Sequence, residues 1–315
     1  MTIPLVIDTD TAADDCFALL AGLLHPNSDL KAITLVAGNV GFDKQVQNAL
    51  ITLGQTGRAG EVPVYAGARQ PLMREWASAE YVHGDGKGGV DWPVPDIELE
   101  KEHGADALLR LSHDYAGELV IVAIGPLTNL AIAVGKDREF AKRVSKLYVM
   151  GGSNNFRGNI TPAAEYNFYV DPEAAKMVVD AGFDLTVIDW GVTLRQAVFT
   201  RVMLAEIEDL GTPLSHFFVT VNKPTLEFDE SVGIAGSTHP DILSVYAAIQ
   251  PDLITRTERY RIDVECAGET TRGYSVFDWG VFDQPANATV VEEIDEAGFY
   301  SAIKTLLQTP VKGQK

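Results

Sequence analysis

Short apolar runs rich in valine and isoleucine alternate with longer stretches of helical spacing along the first part of the chain. Apolar runs of this length are typical of strands that are buried on both faces. The runs occupy residues 3–7, 31–36, 119–124, 147–150 and 185–188. Helices are predicted over residues 14–24, 42–53 and 127–134, with a further helix opening at residues 171–172. The alternation predicts a parallel sheet with helices on both faces.

The pattern changes after about Asp189. Helical spacing dominates up to Ile249, strand-like runs follow at residues 255–265 and 274–277, and a last helix is predicted near residues 299–307. We find no linker and no internal repeat in the sequence. The predicted fold is a single α/β domain over residues 1–315. It has a mostly parallel, Rossmann-like central sheet flanked by helices, and a mixed helical and small β portion towards the C-terminus.

Composition and charge restrict the classes of partner. The chain has 44 acidic and 25 basic residues and a formal net charge of -19. We therefore expect no nucleic-acid partner, because phosphate binding needs a basic surface. No run approaches the ~20 apolar residues of a membrane span, and the first residues do not have the pattern of a signal peptide. Two cysteines, Cys16 and Cys266, form neither a disulfide framework nor a zinc pattern. We expect a cytoplasmic protein that contacts no membrane.

Four carboxylates fall within eight residues, where the first predicted strand is followed by the first predicted helix. They are Asp8, Asp10, Asp14 and Asp15. Helix capping explains one or two aspartates in a first turn. Four like charges this close raise one another's pKa unless something neutralises them, and a bound cation is the simplest neutraliser. The carboxyl ends of parallel strands are also where ligands bind. Because the donors are all oxygens, Ca²⁺ or Mg²⁺ is favoured.

Two families share features with this segment. The haloacid-dehalogenase-type phosphatases have D-x-D-x-T/V after their first strand, and this chain has Ala12 at the fifth position of that pattern. The nucleoside hydrolases open with D-T-D-x-x-x-D-D, which residues 8–15 match in full. The chain therefore resembles the nucleoside hydrolases, of the inosine-uridine preferring type.

The resemblance to the nucleoside hydrolases extends over nearly the whole chain. It rests on an ordered set of short motifs: GNV at 38–40, HG at 83–84, GPLTN at 125–129, MGG at 150–152, GN at 158–159, PAAEYN at 162–167, VDPEAA at 170–175 and TRG at 271–273. Each motif alone is weak, but the ordered set is specific. The resemblance implies an enzyme that hydrolyses the N-glycosidic bond of a small-molecule ribonucleoside to ribose and free base.

The resemblance also implies a Ca²⁺ cofactor and its ligands. These are the side chains of Asp10, Asp15 and Asp241 and the backbone carbonyl of Ile124, which directly precedes the GPLTN motif. Asp10 is implied as the general base that acts on a calcium-bound water. The chemistry agrees, because a metal ion lowers the pKa of bound water and lets a carboxylate remove its proton near neutrality.

Substrate contacts follow from the same resemblance. The implied ribose binders are Asp14, Asn39, Asn159, Glu165 and Asn167, and the implied base contact is His83. Structural roles remain open, because Asn39 and Asn159 are also ordinary turn residues. Glu165 and Asn167, two apart, are expected to share one face of an extended segment. His83 equally suits an exposed position in the Gly-rich loop 76–93, a candidate active-site flap.

The late metal site departs from the family pattern. Many members have His-Asp-Pro there, and the histidine protonates the leaving base. This chain has Pro240 directly before Asp241, so His239 falls one residue early. A step of one residue turns a helical side chain by roughly 100°, but this segment can also be the turn before a helix. We expect His239 to serve as the leaving-group acid, and we leave open another group or activation by stacking on tryptophan.

Three functions stay in view. The first is the N-ribosyl hydrolase. The second is a non-catalytic ribose- or nucleoside-binding protein, for which Pro240 is the only support. The third and least favoured is a haloacid-dehalogenase-type phosphatase with Asp8 as its nucleophile. The resemblance also implies a homodimer or homotetramer, whereas the preferred nucleobase does not follow from the sequence.

Overall fold

The structure, a computed structural model, describes residues 2–311. Within them, nine strands form a central sheet and two more form a small ribbon. The strands are β1 (Ile3–Thr9), β2 (Ser28–Leu35), β3 (Val64–Ala66), β4 (Val120–Ala123), β5 (Lys146–Met150), β6 (Leu185–Ile188), β7 (Val198–Phe199), β8 (Ser237–Thr238), β9 (Ile254–Val264), β10 (Ser275–Asp278) and β11 (Ala288–Ile294). Met1 and residues 312–315 of the predicted domain lie outside the described residues.

Thirteen α-helices accompany these strands in the described part of the chain. They are α1 (Asp14–Leu24), α2 (Phe42–Gln55), α3 (Glu80–His83), α4 (Gly104–Asp114), α5 (Thr128–Lys136), α6 (Phe140–Arg143), α7 (Tyr166–Val170), α8 (Pro172–Val179), α9 (Trp190–Gln196), α10 (Arg201–Glu208), α11 (Pro213–Ser231), α12 (Pro240–Ile249) and α13 (Glu296–Leu307). A 3₁₀ turn, Pro251–Leu253, joins α12 to β9. No helix within residues 2–311 has the length and apolar content needed to cross a bilayer.

The central sheet has the strand order β3-β2-β1-β4-β5-β6-β11-β9-β10. All neighbours from β3 to β11 are parallel, and β9 and β10 complete the sheet as antiparallel strands. The strand order reverses between β1 and β4. Because loops from β1 and β4 leave this point in opposite directions, a crevice forms at their carboxyl ends, where ligands bind in open α/β sheets.

Alternate residues of the sheet supply two separate cores. Leu5 and Ile7 of β1 face one apolar cluster, and Val6 faces the other. The same alternation continues in β4, where Val122 joins the first cluster and Ile121 the second. Strand side chains point alternately to opposite faces, so a continuous apolar run is needed when helices cover both faces. This burial explains why the strands near the sheet centre are readable from the sequence.

The predicted α/β fold with a mostly parallel sheet is confirmed. In the C-terminal portion the strands β9, β10 and β11 extend the central sheet. Strand β11 was not predicted, because two glutamates, Glu292 and Glu293, interrupt its apolar pattern. Helix α13 begins three residues before the predicted start, since the Asp295 side chain caps it by accepting a hydrogen bond from the Gly298 amide at 3.0 Å.

Candidate active site

The turn from β1 into α1 carries the first acidic residues of the site. Ala13 has φ 35°, a left-handed conformation that is rare for alanine, and its amide donates to the Gly86 carbonyl at 2.9 Å. Helix α1 then starts at Asp14, so Asp14 and Asp15 both lie in its first turn. Because the chain turns sharply at Ala13 into α1, both carboxylates lie at the crevice between β1 and β4.

Acidic residues that are distant in the chain meet in this crevice. One carboxylate oxygen from each of Asp14, Asp15 and Asp241 lies within 4.8 Å of the other two, and all three residues are buried. Asp241 belongs to the first turn of α12, and α12 packs against α1. We call these three residues the acidic triad. Its hard oxygen donors, drawn together inside the protein, fit a divalent cation such as Ca²⁺ or Mg²⁺.

Asp10 lies beside the acidic triad. Its Oδ2 accepts a hydrogen bond from the Asn39 amide at 2.8 Å, and its Oδ1 is buried with no hydrogen-bond partner among residues 2–311. A Cβ atom at Gly38 would come within 1.9 Å of Oδ2, so only glycine leaves room for this carboxylate. An orphaned buried oxygen is costly unless a ligand satisfies it.

Hydrogen bonds fix the direction of the Asp15 carboxylate. Its Oδ1 accepts from the Thr9 hydroxyl at 2.5 Å. Its Oδ2 accepts from the Ala12 amide at 3.1 Å and from the Asn39 side-chain amide at 3.0 Å. Asn39 thus donates to both Asp10 and Asp15, which is more than an ordinary turn residue does.

Burial raises the pKa of every carboxyl group in this region. It raises the pKa of Asp15 to about 6. Burial, followed by the nearby charge of Asp15, raises the pKa of Asp14 to about 8. The same two causes raise the pKa of Asp10 well above its ordinary value, and burial and the Asp14 charge do so for Asp241. Such a group of carboxyls must hold protons or a cation.

The metal ligands implied by the family resemblance were Asp10, Asp15, Asp241 and the Ile124 carbonyl. The structure brings Asp15 and Asp241 together and adds Asp14, which was expected to bind ribose. Asp10 is next to Asp15 but outside the triad. Ile124 lies at the same pocket, and its carbonyl accepts from the Asn167 side-chain amide at 3.1 Å.

Glu165 and Asn167 also line the pocket, but not as neighbours in an extended segment. That expectation is wrong, because Glu165 caps helix α7 and Asn167 lies in its first turn. The Glu165 carboxylate accepts from the amides of Asn167 and Gly152, both at 2.9 Å, and of Phe168 at 3.2 Å. Burial nevertheless raises the pKa of Glu165 to about 7. The three backbone amides fix the direction of the Glu165 carboxyl group.

Asn159 occupies the rim of the same pocket. Its Oδ1 accepts from the Tyr166 amide at 2.7 Å, which leaves its NH₂ group available to a ligand. His83 lines the pocket at the end of α3, in the loop 76–93. Burial of its ring lowers the pKa of His83 to about 4, and its Nδ1 has no partner among residues 2–311. His83 is therefore a pocket residue and not an exposed loop residue.

The loop 76–93 covers one side of the pocket. The Trp76 indole donates to the Gly38 carbonyl at 2.7 Å, and the Ala79 amide donates to the Asn39 carbonyl at 2.7 Å. The tip is close to α11, where the Tyr81 ring meets the Phe228 ring edge-on at 5.5 Å between centroids. The loop is thus tied to the same Gly38-Asn39 turn that orients Asp10.

One half of the pocket is mainly apolar, and its residues were not identified from the sequence. They come from α3, α11 and the segment before α12, and they include Tyr81, Val82, Thr225, Phe228, Asp229, Val232, Ile234 and Thr238. On α11 these residues recur with helical spacing, but only the packing of α11 against α3 reveals which face lines the pocket. Trp190 is 7% exposed and also reaches the pocket.

His239 requires a correction. Its neighbours Thr238 and Pro240 line the pocket, but the His239 ring packs against Phe199 at 4.4 Å and against Phe218 at 5.3 Å between centroids. It is fully buried, neither ring nitrogen has a hydrogen-bond partner among residues 2–311, and burial lowers its pKa to about 3. A neutral ring in a phenylalanine cluster is not placed to give a proton to a leaving base.

Asp8, the nucleophile that a phosphatase would need, is buried below the pocket. It is fully buried, its Oδ1 accepts from Thr34 at 2.5 Å and from Asn129 at 2.8 Å, and it does not line the pocket. The geometry therefore gives no support to an aspartyl-phosphate at Asp8.

Comparison with known proteins agrees with this geometry. The family model described as "Inosine-uridine preferring nucleoside hydrolase" matches residues 5–301. Pyrimidine-specific ribonucleoside hydrolase RihA of Salmonella paratyphi C is 33% identical over 98% of this chain and 99% of its own length. Among solved structures, a plant nucleoside hydrolase, PpNRh1, has a TM-score of 0.90 at 29% identity, covering 98% of this chain and all of that one.

A purine-preferring ribonucleoside hydrolase from Gardnerella vaginalis is similar to the same extent. It has a TM-score of 0.89 at 29% identity, with 97% of this chain and 99% of that chain covered. The fold and the acid-lined pocket together define an N-ribosyl hydrolase. The chain belongs to the inosine-uridine preferring nucleoside hydrolase family.

Proposed function

We propose that the protein hydrolyses ribonucleosides to ribose and free base with a Ca²⁺ ion held at the acidic triad. The observation that carries the proposal is the meeting of Asp14, Asp15 and Asp241 within 4.8 Å, with Asp14 and Asp241 belonging to the polar end of a pocket whose other end is mainly apolar. Asp10 and the Ile124 carbonyl complete the proposed ligand set. A pentose fits the polar end and a planar base fits the apolar end.

The cation supplies one part of the chemistry, since it lowers the pKa of a coordinated water molecule. Asp10 is proposed as the proton acceptor, because its Oδ1 is buried without a partner among residues 2–311. Asn39, Asn159, Glu165 and Asn167, together with Asp14, offer the donors and acceptors that vicinal hydroxyls need. Cleavage builds positive charge on the sugar ring, and fixed carboxylates beside the ring stabilise it.

A panel of nucleosides tests the proposal. The calcium-loaded protein is incubated with adenosine, inosine, cytidine and uridine, and free base and reducing sugar are followed by chromatography. We expect stoichiometric release of base and ribose from at least one purine or pyrimidine nucleoside. Binding of every nucleoside without turnover would instead support a non-catalytic nucleoside-binding protein.

Gly38→Ala tests the proposed role of Asp10. A Cβ at this position would displace the Asp10 carboxylate, and a displacement of about 1 Å at a reacting group costs roughly a hundredfold in rate. We expect kcat/KM to fall about a hundredfold. Gly135→Ala in α5 is the matched control, because its Cβ meets only Met177 at 4.0 Å. It should keep the wild-type rate and gain up to about 1 kcal/mol of stability. A Gly38→Ala enzyme with wild-type kinetics would remove Asp10 from the mechanism.

His239→Leu separates packing from catalysis at the late site. Leucine fills the phenylalanine cluster without burying two unsatisfied nitrogens, so we expect kcat/KM within about threefold of the wild type and a stability gain of about 1 kcal/mol. Steady-state kinetics and thermal unfolding measure the two effects. A hundredfold loss of kcat with unchanged stability would restore His239 as the leaving-group acid.

The assembly and location implied by the family stay predictions. Exposed Trp279, Val281 and Phe282, on the loop between β10 and β11, support association of copies as a homodimer or homotetramer. Light scattering on the purified protein measures the mass directly. The cytoplasmic location would be tested by fractionating cells that express the native chain.

A further inference from the structure

We infer that Asp229 reads the nucleobase by accepting a hydrogen bond from one of its ring-edge or amino N–H groups. Asp229 would thereby set the specificity of the pocket for bases that present a donor at that position. This inference rests on the proposed nucleoside hydrolysis and adds to it the group that distinguishes one base from another.

Asp229 lies on the face of α11 that forms the base end of the pocket. Phe228 and Asp229 lie three and four residues after Thr225 on α11, so these residues share one side of the helix, and Val232 directly follows the end of the helix. All four line the pocket. Asp229 is the charged member of this face, and it is only 3% exposed.

The two oxygens of Asp229 differ in their partners. Oδ2 accepts from the Thr238 amide at 2.8 Å and from the Thr238 hydroxyl at 2.9 Å. Oδ1 receives no hydrogen bond from residues 2–311. Oδ2 alone therefore connects α11 to β8, and Oδ1 remains available to a ligand.

A second polar group on the same face also lacks a partner. The hydroxyl of Thr225, one helical turn before Asp229, is buried without a hydrogen bond among residues 2–311, and Thr225 is 3% exposed. Buried polar atoms are normally hydrogen-bonded. Because the Thr225 hydroxyl is buried away from the pocket, the Asp229 oxygen is the unpartnered polar atom of this face that a ligand can reach.

The part of the nucleoside that faces the α11 wall is the base rather than the ribose. Groups that suit vicinal hydroxyls come from other elements than α11: Asn39 donates to Asp15 of the acidic triad, and Glu165 and Asn167 belong to the start of α7. Around Asp229 the wall consists largely of Tyr81, Phe228 and Ile234, which suit a flat ring. A carboxylate can only accept when ionised, so the base must bring the N–H.

Asp229→Asn reverses the hydrogen-bonding character of this position. Both Thr238 contacts are donors, so they retain the carbonyl oxygen of the new side chain and leave its NH₂ where Oδ1 was. An acceptor is thus replaced by a donor with almost no change of shape. Cytidine and uridine present opposite donors and acceptors at ring positions 3 and 4, so they form a matched pair for this exchange.

The test compares kcat/KM for cytidine and uridine in the calcium-loaded wild type, Asp229→Asn and Glu227→Gln. Glu227 is an exposed acid of the same helix and does not line the pocket, which makes it the control. We expect the cytidine-to-uridine ratio to change at least tenfold in Asp229→Asn and less than twofold in Glu227→Gln, because a site built for one donor pattern rejects the other. Adenosine and inosine serve as the pair if purines are preferred.

Other outcomes would overturn the inference. An unchanged ratio, or an equal loss for both substrates, would leave Asp229 with a structural role only. If Asp229→Asn does not fold, the wild type is compared on 3-methyluridine and N4,N4-dimethylcytidine against their parents. A loss below twofold for both methylated substrates also overturns the inference. Absence of turnover with every nucleoside would count against the proposed function instead.

Discussion

Replacing Asp241 by asparagine should lower kcat/KM for nucleoside hydrolysis by at least about a hundredfold. Asp241 is the member of the acidic triad that comes from α12, and its carboxylate oxygen lies within 4.8 Å of those of Asp14 and Asp15. Substitution of a residue that only hydrogen-bonds to a metal ligand typically lowers metal affinity or activity by about 10–100-fold. Loss of a ligand itself should cost at least as much. Steady-state kinetics at saturating Ca²⁺ measure the effect.

The same substitution should have the opposite effect on the stability of the metal-free protein. Asp241 is buried, and the neighbouring Asp14, Asp15 and Asp10 charges raise its pKa further. Asparagine removes one of these like charges, so the thermal midpoint without metal should rise while the Ca²⁺-induced increase disappears. Asp252→Asn, at an exposed acid in the 3₁₀ turn before β9, is the control and should change neither quantity. If Ca²⁺ still raised the thermal midpoint of Asp241→Asn, the result would contradict the proposed metal site.

Removal of the divalent cation should make the stability of the protein fall as the pH rises from about 4 to about 8. In the folded chain the pKa of Asp15 is about 6 and that of Asp14 about 8, whereas the ordinary value is 3.8. The folded state therefore binds more protons than the unfolded state in this window. Stability decreases with pH wherever the folded state holds the extra protons. The contribution is complete below pH 3.8 and is lost as each carboxyl ionises.

Thermal unfolding with and without a chelator, at several pH values, checks this expectation. Adding Ca²⁺ at a hundred times its Kd should raise the midpoint by about 5 °C or more. At a fixed Ca²⁺ concentration the rise should be largest near pH 8, where the fewest protons on Asp14 and Asp15 compete with the cation. Asp241→Asn provides the control, since it should flatten the pH dependence of the metal-free protein. An equal Ca²⁺ effect at pH 5 and pH 8 would mean that the cation binds elsewhere.

Local patterns were enough to predict the central strands and the first part of the site. Strands such as β4 and β6 are buried on both faces, so their apolar runs are continuous and visible in the sequence. Asp8 to Asp15 are neighbours in the chain, and their crowding is a property of eight residues. The excess of like charge predicts a neutralising partner without any knowledge of the fold.

Other features depended on residues that are distant in the chain. The Glu165 carboxylate, which caps α7, is also held by the amide of Gly152, thirteen residues before it. The His239 ring, directly before α12, packs against Phe199 and Phe218, a direction that the spacing to Asp241 could not give. Strand β11 takes its place in the sheet through pairing with β6 and β9, although its own pattern is broken by acids.

The sequence by itself determined the α/β class, the order of the central elements and the presence of a buried acidic cluster at the end of β1. The tertiary structure alone decided that Asp14 joins Asp15 and Asp241, that His239 faces away from the pocket, and that Asp229 forms part of its wall. The physical reason is the range of the interactions. Burial patterns and charge crowding act between near neighbours in the chain, whereas the direction of a side chain at a site is fixed by packing between separate elements.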